Sequence, residues 1–282
     1  MQPWLLDYES NVDACLNTLK DLGERIAACA ATTETYRAYQ REFKLEPTRF
    51  DILDQVTNEL RLRNLLWETL TEWENAIYVW YTADFDTLDV EDITSFTMRT
   101  MKNIIQLERG LPSNNIVPDL KENVELIRNK LPILGYLRNP DLRERHWEKI
   151  EIILNHIFKP DEKKTWTELE ALGAFLKPNE LMEVAAAASS EANLEHMLKK
   201  VIDTWEHLIF IVVPHKEGKD IFILGSLEDI QTAMDESNIN LQTIIASRHV
   251  GPIQSLVEKW IEKLDLFTDT LVQILTNRSI AI

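Results

Sequence analysis

Through most of the chain, apolar residues recur at alternating spacings of three and four, the period that places them on one stripe of a helix. Leu66, Leu70, Trp73, Ile77 and Trp80 step by four, three, four and three. Leu120, Val124, Ile127, Leu131 and Leu134 follow the same rule, as do Leu142, His146, Ile150, Ile153 and Ile157. Ile253, Val257, Trp260, Leu264, Phe267, Leu271 and Ile274 extend it over three heptads, a seam of the kind that packs helices into bundles or short coiled coils. The predicted fold class is mainly α: an elongated rod of antiparallel helical bundles.

Boundaries follow from Pro, Gly and capping residues. Pro fits a first helical turn, and a preceding Asn or Asp can accept orphan backbone N–H groups, so Asn139-Pro140-Asp141 predicts a helix start. That helix should end before Lys159-Pro160. Asp161 is placed to cap the next, whose stripe is Trp166, Leu169, Leu172 and Leu176 up to Lys177-Pro178. Gly251-Pro252 opens the last seam. Pro132 predicts a kink or break after Leu131, because it lacks an N–H and clashes with the preceding turn. Loop signals at Arg109–Val117 divide the chain into an N-terminal helical subdomain, 1–110, and a second helical subdomain, 111–282.

One segment departs from the helical period. Leu208–Val213 is apolar, Pro214–Asp220 is a polar turn containing Gly218, and Ile221–Leu224 is apolar again, which predicts an inserted β-hairpin at about 208–224. Two strands alone are marginal, so the ribbon's apolar faces should be covered by the helices or by another protein. Ser226-Leu227-Glu228-Asp229 predicts a helical restart through a capping box with Asp in place of Glu.

Composition narrows the function classes. The 282 residues are 45% hydrophobic and 27% charged, with only 7 Gly and 10 Pro, which again favours helices. A net charge of −17 argues against nucleic acid and anionic membrane as partners, since both attract Lys and Arg clusters. Cys15 and Cys29 form no disulfide framework and suit a reducing compartment, with cytoplasm the default. No apolar run approaches the roughly 18 residues of a membrane span, and Met1–Ser10 does not resemble a signal peptide. The Asn277-Arg278-Ser279 sequon therefore carries no weight. Residues 111–160 are near neutral, with 8 basic and 7 acidic side chains, and suit packing within the chain.

The search for reactive groups predicts no catalytic, cofactor-binding or metal-binding residues, and hence no enzyme activity of the chain's own. Gly218-Lys219-Asp220 lacks both the glycines before and the hydroxyl after the lysine that a phosphate loop needs. GxSxG, HExxH, CxxC and GxGxxG motifs do not occur. No two of the six histidines are three or four apart, the spacing of a helical metal pair. Pairs such as Asp235-Glu236 read as solvated helix faces among 47 carboxylates. The 8 Trp read mainly as bundle core, with partner anchoring as the alternative, and His146 reads as a core histidine.

Leu131-Pro132-Ile133-Leu134, followed by Leu137-Arg138-Asn139-Pro140 and Arg145-His146-Trp147, resembles the "LP, LRN, RHW" signature of dynein heavy chains. Downstream, Glu191, Leu194, Glu195, Leu198 and Trp205, then the hairpin, Leu241, Ser247 and Trp260, keep that family's order. The resemblance runs from about Leu111 to Leu271 and corresponds to part of the linker ahead of the AAA+ motor ring. The family's chain would continue past 271, so the resemblance implies a fragment or a truncated product. It looks more axonemal than cytoplasmic, which implies a place in the cytoskeleton of a cilium or flagellum. The implied function is mechanical: a lever that lies on the ATPase ring, bends with nucleotide state and drives displacement along microtubules. The implied partners are the ring of the same heavy chain, other dynein subunits, and microtubules through the complete motor only. Hinges are expected where the helical seams are interrupted, at Gly110–Pro118, Pro132, Pro160 and Pro178, and the hairpin tip Lys216, Glu217 and Lys219 is a candidate docking element, the alternative being a hairpin that simply finishes the bundle core. The alternative class is an acidic helical adaptor that holds other proteins.

Overall fold

The computed structural model describes residues 3–7, 11–159, 164–214 and 222–280. They form α1 (Val12–Glu42), α2 (Asp51–Thr82), α3 (Val90–Gly110), α4 (Ile116–Leu137), α5 (Glu144–Leu154), α6 (Trp166–Ala171) and α7 (Pro178–His207). There follow the strands β1 (Val212–Pro214) and β2 (Phe222–Leu224), then α8 (Glu228–Ile245) and α9 (Gln254–Ile280). The protein is mainly α, and among the described residues no helix is long and apolar enough to cross a membrane. It divides into two compact units, Met1–Arg138 with Glu151–Pro178, and Asn139–Ile150 with Asn179–Ile282.

In the first unit α1 packs on α2, α2 on α3 and α3 on α4, each pair joined by a short connection and therefore antiparallel. The three-and-four stripes face inward: Leu66, Leu70, Trp73 and Trp80 of α2 and Leu120, Val124, Ile127, Leu131 and Leu134 of α4 are all buried. Trp166 of α6 stacks on Tyr81 and Trp80 at centroid distances of 5.1 and 6.5 Å, which pins α6 to the end of α2. Asn11 and Asp89 cap α1 and α3 by accepting first-turn N–H groups. Gly110 ends α3 where a Cβ would lie 2.5 Å from Cδ1 of Leu62, so glycine permits the close approach to α2. The expected division after residue 110 does not coincide with the two units, because α3 and α4, which flank it, pack on each other.

Pro132 does not break its helix. α4 continues to Leu137, with Pro132 on the exposed face and Leu131, Ile133 and Leu134 buried around it, so tertiary packing outweighs the missing N–H. Two helix ends also differ from expectation. α5 starts at Glu144 rather than at Asn139-Pro140, because the Asn139 side chain accepts the N–H of Asp141 (3.0 Å) and its carbonyl that of Leu142 (3.1 Å), which holds a turn. α6 stops at Ala171 because Gly173 takes a left-handed conformation (φ 74°), leaving Leu176 85% exposed and off its expected stripe. Asp161 lies outside the described residues. The cap of α6 is Thr165, in a full capping box with Glu168.

The core of the second unit joins Leu194, Leu198 and Val201 of α7 to Leu241 and Ile244 of α8 and to Val257 and Leu264 of α9. Trp205 and Trp260 pack against it, and Trp205 Nε1 donates to Ser237 Oγ at 2.9 Å. One turn of 3-10 helix at Gly251–Ile253 leads into α9, as Gly251-Pro252 suggests. The two strands pair antiparallel with Val212 opposite Leu224 and Pro214 opposite Phe222, so the ladder is shorter than the apolar runs. Among the described residues the cover over the ribbon's first side is partial: Ile209, Phe210, Ile211, Val212 and Val213 are exposed, although the Phe210 ring lies 6.1 Å from that of Phe267 on α9. Ser226 accepts the N–H of Glu228 but is not the cap of α8, which is Leu227.

Candidate functional site

The residues of the R-H-W triplet converge with the downstream acidic residues, all within the second unit. α7 places Glu191 and Glu195 one turn apart on one face, and the start of α5 presents Arg143, Arg145 and His146 to it. His146 is fully buried. Its Nδ1 accepts the backbone N–H of Arg143 at 3.1 Å, while the N–H groups of His146 and Trp147 return to the Arg143 carbonyl. This is the backward arm of a capping box, with imidazole doing what Glu or Gln does at the third helical position. Accepting at Nδ1 leaves the ring proton on Nε2, which lies 3.1 Å from Oε2 of Glu191, off the line of a straight hydrogen bond.

The same Glu191 oxygen accepts from Arg145 through Nε (2.9 Å) and Nη2. Arg143 donates to Glu195, and Arg145 also lies 4.0 Å from Glu195. Burial alone would raise the Glu191 pKa, but the hydrogen bonds and charge of Arg145, with the close approach of His146, outweigh it and hold the carboxyl below its ordinary value. Further along, Asn139 Nδ2 donates to the Ala185 carbonyl (3.1 Å) and to Ser189 Oγ (2.8 Å), against the small-residue stretch where Ala185 and Ala188 are buried. Asn139, Arg143, Arg145 and His146 thus fasten one segment along three turns of α7. Chemically this is a clamp: every group is charged or hydrogen-bonded to another protein group, and none is aimed at an open cleft. Among the described residues no three His, Cys, Asp or Glu side chains are grouped to hold a metal ion.

Of the other sequence candidates, Leu194, Trp205 and Trp260 belong to the α7–α8–α9 core, whereas Leu131 and Pro132 lie on α4 in the first unit. Trp147 is half-buried rather than enclosed, since the turn that buries His146 rotates its neighbour outward. The tip residues Lys216, Glu217 and Lys219 lie outside the described residues. Sequence reasoning missed Arg143 and Asn139 as clamp members, because partners some 50 positions apart leave no periodic signal. It also missed the Thr165-Glu168 box, although Thr-x-x-Glu before an apolar run is a legible one. A further cluster ties α4 to α2 and α6: Lys130 Nζ lies 2.6 Å from Glu170 and 3.3 Å from the Tyr81 hydroxyl, over the rings of Tyr81 and Phe175.

The described residues form a mainly helical chain in which a polar cluster fastens the start of α5 to α7. Residues 53–278 match the family model of the dynein heavy chain, N-terminal region 2, and the chain belongs to that family. It is 38% identical over 275 residues to human dynein axonemal heavy chain 6, covering 97% of this chain and 7% of that one. It is 30% identical over 241 residues to human dynein axonemal heavy chain 10, covering 82% and 5%. It is 26% identical over 234 residues to the dynein-1-beta heavy chain of the flagellar inner arm I1 complex of Chlamydomonas reinhardtii, covering 83% and 5%. The chain therefore spans less than a tenth of the length of these relatives.

Proposed function

We propose that this chain is a linker or lever segment of a dynein heavy chain, which couples ATP-driven changes in the motor ring to force along microtubules. Its role is mechanical, and nucleotide chemistry belongs to the ring. The observation that carries this reading is the match of residues 53–278 to the heavy chain's N-terminal region 2. The clamp between α5 and α7 adds physical support, because a lever transmits displacement only if its helices do not slide. Its partners on this reading are the ring of the same heavy chain, other dynein subunits, and microtubules through the complete motor. Its place is the axoneme of a cilium or flagellum, in keeping with the names of its relatives. Lys216, Glu217 and Lys219 are, on this reading, candidates for polar contact with the ring, the alternative being a hairpin that only finishes the bundle core.

The second reading, an acidic helical adaptor, is favoured by the exposed apolar side chains of Ile209, Val212 and Val213. A chimera separates the two. With this chain in place of the matching stretch of an axonemal heavy chain, the lever reading predicts ATP-driven microtubule gliding. ATP hydrolysis without gliding would contradict it. In that chimera, Gly and Ser at positions 216, 217 and 219 should slow gliding, and unchanged velocity would remove the docking role of the tip.

A further inference from the structure

The α1–α2 hairpin outruns the rest of the first unit. α3 ends at Gly110 beside Leu62, and the buried residues of α2 begin only at Leu60. Of residues 20–59, Thr33 alone is buried, so the greater part of α1 and the first turns of α2 form an arm that encloses no apolar side chain. Leu22 and Ile26 of α1 and Leu53 and Val56 of α2 are only half-buried, and they line an open groove of about 700 Å³ with Ile52, 79% exposed, at its edge. Two helices without a third cannot enclose their own seam, and a helix in water is held mainly by burying one face.

The bare arm is nevertheless braced at its end. Gln40 Nε2 donates to Thr48 Oγ1 (2.7 Å) and Gln40 Oε1 accepts the Thr48 N–H (2.8 Å), while Arg37 donates to the Thr48 carbonyl (3.3 Å) and lies 5.7 Å from the Phe50 ring centroid. Charge is divided along its length. The tip, 35–50, has four basic and two acidic side chains, and the shaft, 20–34 with 51–61, has three basic and six acidic ones. Lys44 and Arg49 at the tip are exposed and make no ion pair among the described residues. A basic tip and an acidic shaft on one arm complement the same arm laid antiparallel, and a two-fold axis brings both tip–shaft contacts and both grooves together at once. With the two parts nearly cancelling, the arm is also a place where a second copy of a chain of charge −17 meets little repulsion.

We propose that the α1–α2 arm is a homodimerisation element, which pairs antiparallel with the arm of a second copy to complete a four-helix bundle. The inference goes beyond the lever reading and stands independently of it. Ile52 of each copy enters the groove of the other, and the Lys44 and Arg49 end of each tip lies against the Asp21 and Glu24 end of the opposite shaft.

The test is the oligomeric state of the whole chain. Analytical ultracentrifugation at micromolar concentration and about 0.15 M salt is expected to show a reversible dimer. A short bis-maleimide is expected to join two chains through Cys29, which is exposed on the groove, and not through buried Cys15. Ile52→Asp, at an exposed position, should abolish the dimer and the cross-link with the helical circular dichroism unchanged. Lys44→Glu with Arg49→Glu should weaken the dimer at least about tenfold, and adding Asp21→Lys with Glu24→Lys to the same chain should restore it. A monomer at every concentration would overturn the proposal and leave the arm to a different partner. A dimer indifferent to Ile52→Asp and to the charge exchange would place association elsewhere on the chain and overturn it as well.

Discussion

His146 shows how one side chain can be both a local and a tertiary determinant. Through Nδ1 it closes the first turn of α5, and through Nε2 it meets Glu191 on α7, so its loss removes a cap and a partner of a buried carboxylate together. His146→Ala should therefore cost about 2–4 kcal/mol, the sum of a cap and a charge-assisted contact. Trp147→Ala, at a half-buried position, should cost less than the roughly 3–5 kcal/mol of an enclosed tryptophan. His146→Gln should recover part of the loss, because a glutamine at this position can still accept the Arg143 N–H. Chemical denaturation of the three variants checks these costs, and a His146→Gln loss as large as that of His146→Ala would contradict the capping role of the ring.

At the scale of elements, the α5–α7 clamp carries a pH signature. The Glu191 carboxyl is held below its ordinary value of 4.5, so it binds a proton less readily folded than unfolded. The stability it contributes is present above pH about 4.5 and is lost as the pH falls through the lower folded value. Thermal melts across the acid range should show the parent losing stability more steeply below pH about 4.5 than Glu191→Gln. Parallel curves would mean that the clamp is energetically silent. α4 gives a second prediction at this scale. Its packing tolerates Pro132 at the expense of a backbone hydrogen bond, so Pro132→Ala should raise the melting temperature by a few degrees, about 1–3 kcal/mol, within the interior-proline penalty. A lower melting temperature would show that the proline is required by the fold.

The same elements explain what was legible in the sequence. The stripes of α2, α4 and α9 were readable because burial of one helical face imposes a period. The ends of α5 and α6 were not, since Asn139 spends its side chain on a turn rather than a cap, and Gly173 acts through backbone conformation alone. In the clamp, Arg145, His146, Glu191 and Glu195 were legible as a family signature. That they touch one another, with Arg143 and Asn139 added, depends on the docking of α5 onto α7, and no local pattern encodes such a pairing.

At the scale of the whole molecule, on the proposed lever reading, this dynein heavy-chain segment works by holding its helices in fixed register while the motor cycles. A charge of −17 works against compaction through self-repulsion, which gives specific pairs such as Arg145 with Glu191 added weight in keeping that register. The most direct measurement is microtubule gliding velocity against ATP turnover in a complete heavy chain carrying Glu191→Lys, at a temperature where circular dichroism shows the segment folded. The lever account predicts slower gliding with ATP hydrolysis retained, and recovery of velocity when Arg145→Glu is combined with Glu191→Arg. Unchanged velocity per ATP in Glu191→Lys would contradict it.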